Sequence, residues 1–121
     1  MSKLAPSIAG IACVGIDCAD PPALAQWWQQ LLGGRLETYD DGDARLYPPD
    51  GRVIDFYQVP DGKTVKNRLH FDLASTDYRK AVKEAIALGA TTADDVYDGT
   101  SWQVLRDPEG NEFCILKPSS H

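Results

Sequence analysis

The chain has 121 residues, a formal net charge of −6 and 43% hydrophobic residues, which bounds it to one compact domain or two tightly fused half-domains with a real core. The acidic balance, with a pI near 4.7, argues against general binding to nucleic acid or anionic membrane, which clustered cations drive. No apolar run of about 18 residues exists to span a bilayer, and Met1–Pro6 lacks the long apolar stretch of a signal peptide.

Cys13, Cys18 and Cys114 are odd in number and have no CxxC spacing, so free thiols in a reducing cytoplasm are expected rather than a disulfide framework. The one basic cluster, Lys63, Lys66 and Arg68, can hold a small anion or serve as a solvated linker.

In chain order, residues 8–18 read as a first strand whose Gly10 and Gly15 let another backbone or a ligand approach. Asp20-Pro21-Pro22 starts a helix, since Asp caps well and Pro lacks only an N–H that would be unpaired at that position. Leu24, Trp27, Trp28, Leu31 and Leu32 form its apolar stripe, and Gly33-Gly34 ends it. Strands follow over Arg35–Tyr39, Ala44–Tyr47 and Arg52–Val59, separated by turns at Asp40–Asp43 and Pro48–Gly51. Residues 60–66 form a polar connector.

The stretch 67–74 reads as a strand with Leu69, Phe71 and Leu73 on one face and Arg68, His70 and Asp72 on the other. Asp77 caps a second helix with the stripe Tyr78, Ala81, Val82 and Ala85, ending at Leu88-Gly89. Thr91–Ala93, Ser101–Arg106 and Glu112–Lys117 read as strands, with turns at Asp98-Gly99 and Asp107–Asn111.

The two halves share one grammar. The caps Asp20 and Asp77 lie 57 residues apart, Gly33 and Gly89 lie 56 apart, and the turns at Pro49 and Pro108 lie 59 apart. The expected fold is therefore α+β: two tandem βαβββ modules, about 8–59 and 67–117 with linker 60–66, forming a curved, partly closed mixed sheet. Each module buries one face under its helix and needs its twin to close the other, which implies a central cleft suited to a small ligand.

Asp17-Cys18-Ala19-Asp20-Pro21, Lys66–Asp72 and Asp107-Pro108-Glu109-Gly110-Asn111-Glu112-Phe113, in this order and spacing, resemble the vicinal oxygen chelate superfamily. Its members include glyoxalase I, extradiol dioxygenases and antibiotic-resistance proteins, and the chain looks most like the compact glyoxalase-like domain proteins. The resemblance implies a divalent metal held by the first and fourth strands of each module. The family's first strand places a His seven residues before the capping Asp, which maps to Cys13 and His70. Its fourth strand carries a Glu, which maps to Asp55 and Cys114. Only His70 matches, with Asp55 a shortened carboxylate.

Such a set suits zinc better than manganese or magnesium, which favour oxygen donors. The structural alternative is that Cys13 and Cys114 fill space and no metal binds. Without metal, Asp17, Asp55, His70, Asp72 and Glu112 still present ionisable groups. His70 with Asp55 or Glu112 is the expected proton shuttle, and Tyr47, Tyr57, Arg68, Asp72 and Trp102 are the expected substrate contacts.

Two functions stay open. One is a lyase, isomerase or hydrolase acting on a small oxygenated or carbonyl metabolite by acid–base chemistry in the inter-module cleft. The other is a metal-free protein that sequesters a drug, as bleomycin-resistance proteins do, with an acidic lining suited to a cationic ligand. Glutathione-dependent glyoxalase I activity is not expected, given the absent ligands and short chain. Superfamily members with two modules per chain usually pair, so a homodimer is expected.

Overall fold

A computed structural model of the chain describes residues 7, 11–60, 62–65, 67–93 and 102–118. Two compact units divide it, Met1–Pro60 and Asp61–His121. The first holds β1 (Val14–Cys18), α1 (Pro21–Leu32), β2 (Arg35–Thr38), β3 (Ala44–Tyr47) and β4 (Ile54–Gln58). The second holds β5 (Phe71–Leu73), α2 (Tyr78–Ala87), β6 (Thr91–Thr92), β7 (Trp102–Arg106) and β8 (Glu112–Leu116). The sheets run β1-β4-β3-β2 and β5-β8-β7-β6, so each unit is a βαβββ module in one mixed sheet. In both, the first and fourth strands pair in parallel and the others antiparallel.

The helices start where the caps predict. Asp20 Oδ1 accepts from Ala23 N–H at 3.2 Å, and Asp77 Oδ1 from Lys80 N–H at 3.2 Å. Each cap satisfies a donor that the first helical turn leaves without a partner. In the first unit Leu24, Ala25 and Trp28 of α1 are buried with Ala44, Leu46, Ile54 and Phe56, the alternate residues of β3 and β4. Trp27 meets Trp28 edge-on at 5.1 Å between ring centroids, inside the core. In the second unit Ala85 of α2, Leu105, Phe113 and Ile115 are buried. Because side chains alternate along a strand, the opposite face of each sheet carries the intervening residues, and the chemistry lies there.

Gly34 enters β2 with φ of +100°, and a Cβ there would fall on the Tyr47 carbonyl oxygen. Only glycine combines that backbone with that close approach.

Several expected boundaries change. β1 starts at Val14, and residues 8–10 lie outside the described set, as do Lys66 and the turn at Asp98-Gly99. β5 covers only Phe71–Leu73, so Leu69, expected to pack inward, is 89% exposed, and His70 sits just before the strand. The reason lies at Asn67, whose backbone N–H donates to Glu112 Oε1 at 2.9 Å. Its side-chain amide donates to the Glu112 carbonyl at 3.3 Å. Residues 68 and 69 bend instead of continuing the ladder.

Candidate functional site

In the first unit the register places Glu37, Arg45, Asp55 and Gly15 side by side across β2, β3, β4 and β1. They face away from the buried Leu46 and Phe56. Arg45 Nε and Nη2 donate to Asp55 Oδ1 and Oδ2 at 2.5 and 2.8 Å, a two-pronged pair. Asp55 Oδ2 also accepts from the Tyr57 hydroxyl at 3.0 Å and the Cys13 thiol at 3.2 Å.

These donors set the protonation states. The Arg45 hydrogen bonds hold Asp55 down at about 2 against the opposing effect of burial, and Arg45 itself is raised by Asp55. The hydrogen bond to Asp55 pushes Tyr57 up to about 12 and raises the Cys13 thiol. At neutral pH the group is a carboxylate, a guanidinium, a phenol and a thiol, none of them poised to exchange a proton. A Cβ on Gly15 would meet Tyr57 Cε2 at 2.6 Å, so the glycine makes room for the ring.

Beside this group, the Arg35 guanidinium stacks 4.0 Å above the Tyr47 ring, with Arg45 at 5.9 Å. Glu37 accepts from Tyr39, Tyr47 and Arg35 at 2.9, 3.0 and 2.7 Å. The Arg35 guanidinium, helped by the Tyr39 and Tyr47 hydroxyls, holds Glu37 below the usual carboxylate range, while Glu37 lifts Tyr39 to about 12.

In the second unit Asp72, Cys114 and Val104 stand side by side on β5, β8 and β7. His70 Nε2 lies 3.1 Å from Asp72 Oδ1, with the two side chains 38% and 52% exposed. Ligand atoms of His70, Asp72 and Cys114 all fall within 4.8 Å of one another. Cys114 is buried with Ala93 and Val104, with Leu116 against them.

Glu112 shares the Cys114 face but is committed elsewhere. Lys63 Nζ reaches its carboxylate at 3.2 Å, Arg106 Nε at 3.5 Å, and Asn67 N–H completes the clamp. Burial works to raise Glu112, and the bonds from Asn67 and Lys63 outweigh it, leaving it below the usual carboxylate range. Lys63 also donates to the Val65 carbonyl, so this member of the basic cluster ties down the connector. Arg68 is exposed. Trp102 opens β7 opposite Leu116, its side chain lying outside what the structure describes.

The register thus gives the four positions implied by the family pattern matching places in the two sheets. Cys13 and His70 each stand two residues before the partner of Asp55 or Cys114. The donor chemistry differs between the units. Every Asp55 oxygen is engaged by Arg45 and the Cys13 proton points at Asp55, so the first unit does not fit a metal ion. The imidazole, carboxylate and thiol of the second unit do fit one. Sequence reading missed Arg45. Its signal was the hairpin turn at Pro48–Gly51, which sets residue 45 opposite residue 55 once the strands pair.

The family model described as a glyoxalase-like domain matches residues 13–116. No curated protein matches the chain significantly. Among solved structures, a glyoxalase/bleomycin resistance protein/dioxygenase family enzyme from Burkholderia phytofirmans is similar at a TM-score of 0.69 and 23% identity, over 88% of this chain and 96% of that one. A substituted form of the fosfomycin resistance protein FosX from Listeria monocytogenes, complexed with Mn(II) and 1S,2S-dihydroxypropylphosphonic acid, gives 0.73 at 10% identity, over 93% of each chain. A glyoxalase/bleomycin resistance protein from Albidiferax ferrireducens gives 0.61 at 19%, over 88% of this chain and 97% of that one. At these identities the structural likenesses speak for the fold. With the family model spanning both modules, the chain belongs to the glyoxalase-like domain family.

Proposed function

We propose that the chain acts on a small oxygenated carbonyl compound by proton transfer, with His70 as the acid–base group and Asp72 as its orienting partner. The observation that carries this reading is the 3.1 Å contact of His70 Nε2 with Asp72 Oδ1 at an exposed place. The expected partners Asp55 and Glu112 are instead held ionised by Arg45 and by the Lys63–Asn67 clamp. A carboxylate on one imidazole nitrogen fixes the ring and its tautomer, leaving the other nitrogen to work on substrate. Neutral His70 takes a proton from the carbon beside the carbonyl. The C–H electron pair moves into an enolate, and the imidazolium returns the proton. Arg68, on the same exposed stretch, is the proposed contact for the substrate's oxygen atoms. The FosX complex holds a small dihydroxylated phosphonic acid, a ligand of comparable size and oxygen content.

The test is deuterium uptake by hydroxyacetone and dihydroxyacetone in D₂O, followed by NMR. Exchange faster than in buffer, lost in His70→Ala and weakened in Asp72→Asn with folding intact, is expected. Exchange no faster than in buffer, or unchanged in His70→Ala, refutes the reading.

The grouping of His70, Asp72 and Cys114 favours a second reading in which zinc sits on these residues. A zinc ion there would polarise a substrate oxygen. Metal analysis of untagged protein separates the two: a full equivalent lost in Cys114→Ala supports zinc, and a substoichiometric content supports the free imidazole.

A homodimer and a reducing, cytoplasmic setting complete the proposal. None of Cys13, Cys18 and Cys114 forms a disulfide, and no helix among the described residues is long and apolar enough to cross a membrane. Light scattering at twice the 13.3 kDa chain mass is expected, and the chain mass itself refutes pairing.

A further inference from the structure

The two units have the same strand pairing but opposite chemistry at matched places. Asp55 lies between Gly15 and Arg45, and Cys114 lies between Asp72 and Val104. Arg45 and Val104 are therefore register equivalents, 59 residues apart, as are Asp55 and Cys114. In the second unit the apolar neighbour leaves Cys114 beside an imidazole and a carboxylate. In the first, the neighbour is a cation.

Arg45 reaches both Asp55 oxygens at 2.5 and 2.8 Å, and the Tyr57 hydroxyl and Cys13 thiol take the remaining capacity of Oδ2 at 3.0 and 3.2 Å. An ionised carboxylate offers about four lone-pair sites, and here Oδ2 carries three donors and Oδ1 one, so both oxygens are engaged. A divalent ion would have to displace a two-pronged guanidinium and then lie beside a like charge that remains on the chain. The fork is also braced, because Arg45 stands against the Tyr47 ring at 5.9 Å.

We infer that Arg45 is a built-in counter-cation that closes the first unit to divalent ions, so that any metal this chain takes is held without Asp55 or Cys13. This does not rest on His70 acting as a base, since proton exchange by His70 and metal capture by Asp55 are read in different assays. Removing the guanidinium exposes a carboxylate, a thiol and a phenol together, a set of O and S donors suited to zinc.

The test is zinc titration by calorimetry, with Co(II) absorption reporting thiolate ligation. It uses the full chain, Asp55→Asn, Arg45→Met and the double variant, each checked for folding by circular dichroism. Asp55→Asn should leave the zinc isotherm within about twofold of the parent, including a parent that takes up no zinc, because that carboxylate is no ligand. Arg45→Met should gain a zinc site at least about tenfold tighter than anything the parent shows in that unit, and the double variant should lose it. A loss of about tenfold or more in Asp55→Asn, or no gain in a folded Arg45→Met, overturns the inference. Where Arg45→Met does not fold, the Asp55→Asn isotherm decides alone: equal binding supports the inference, and weakened binding refutes it.

Discussion

Replacing Arg45 by Met keeps a long side chain over the sheet but removes the cation from Asp55. The size of the effect follows from the carboxylate. Asp55 is 6% exposed, and its hydrogen bonds, Arg45's foremost and those of Cys13 and Tyr57 after it, outweigh burial and lower its pKa from 3.8 to about 2. A tenfold change in proton affinity is worth about 1.4 kcal/mol, so ionised Asp55 contributes about 2 kcal/mol to folding at neutral pH. Breaking a fully buried pair costs about 3–5 kcal/mol, but the Arg45 side chain is 35% exposed, and water screens that remainder. Arg45→Met should therefore lose about 2 kcal/mol at pH 7, measured by urea unfolding.

The pH dependence has a definite sign. A depressed folded pKa gives stability that is present above the ordinary value of 3.8 and is lost as pH falls through about 2. The gap between parent and Arg45→Met should thus be widest at neutral pH and should close between about pH 4 and pH 2. A double-mutant cycle with Asp55→Asn should return a coupling of about 2 kcal/mol at pH 7. A gap below about 0.5 kcal/mol, or one that stays constant down to pH 2, refutes the pairing as the cause.

Other substitutions test the frame. Gly34→Ala, which combines a φ of +100° with a Cβ against the Tyr47 carbonyl, should cost about 3 kcal/mol or more in thermal or urea unfolding. Asp107 is buried, and its Oδ1 accepts from the N–H groups of Glu109 and Asn111 at 2.9 Å each. Asp107→Ala should therefore destabilise by about 1–3 kcal/mol and loosen the β7–β8 turn, seen as faster amide exchange there. Glu112→Gln removes the charge that Lys63 and Arg106 face, and should cost about 2 kcal/mol while exposing the connector at residues 62–65 to protease.

Much of the frame was legible because it is written locally. Asp20 and Asp77 cap their helices through bonds to residues three along, so a short window of sequence contains the whole interaction. The helical stripes and the 57-residue echo between caps gave the two modules before any strand was paired. The site was less legible because its interactions cross strands. Arg45 reads as one more polar strand residue until antiparallel pairing sets it against Asp55. Asp55 and Glu112 looked like candidate bases beside His70, yet each spends its oxygens on cations and N–H groups from distant segments. Leu69 fits an alternating strand on paper, but the bonds from Asn67 to Glu112 end the ladder and leave it in water. Asp72, expected as a substrate contact, stands against the imidazole.

The most direct test of the account is chemical rescue at His70. His70→Gly removes the imidazole and leaves Asp72 in place, so deuterium uptake by hydroxyacetone should fall to the rate in buffer. Free imidazole added to that variant should restore it in a saturable way, as a proton carrier returned to its seat. Uptake that persists in His70→Gly, or that imidazole does not restore in a folded variant, contradicts His70 as the acid–base group.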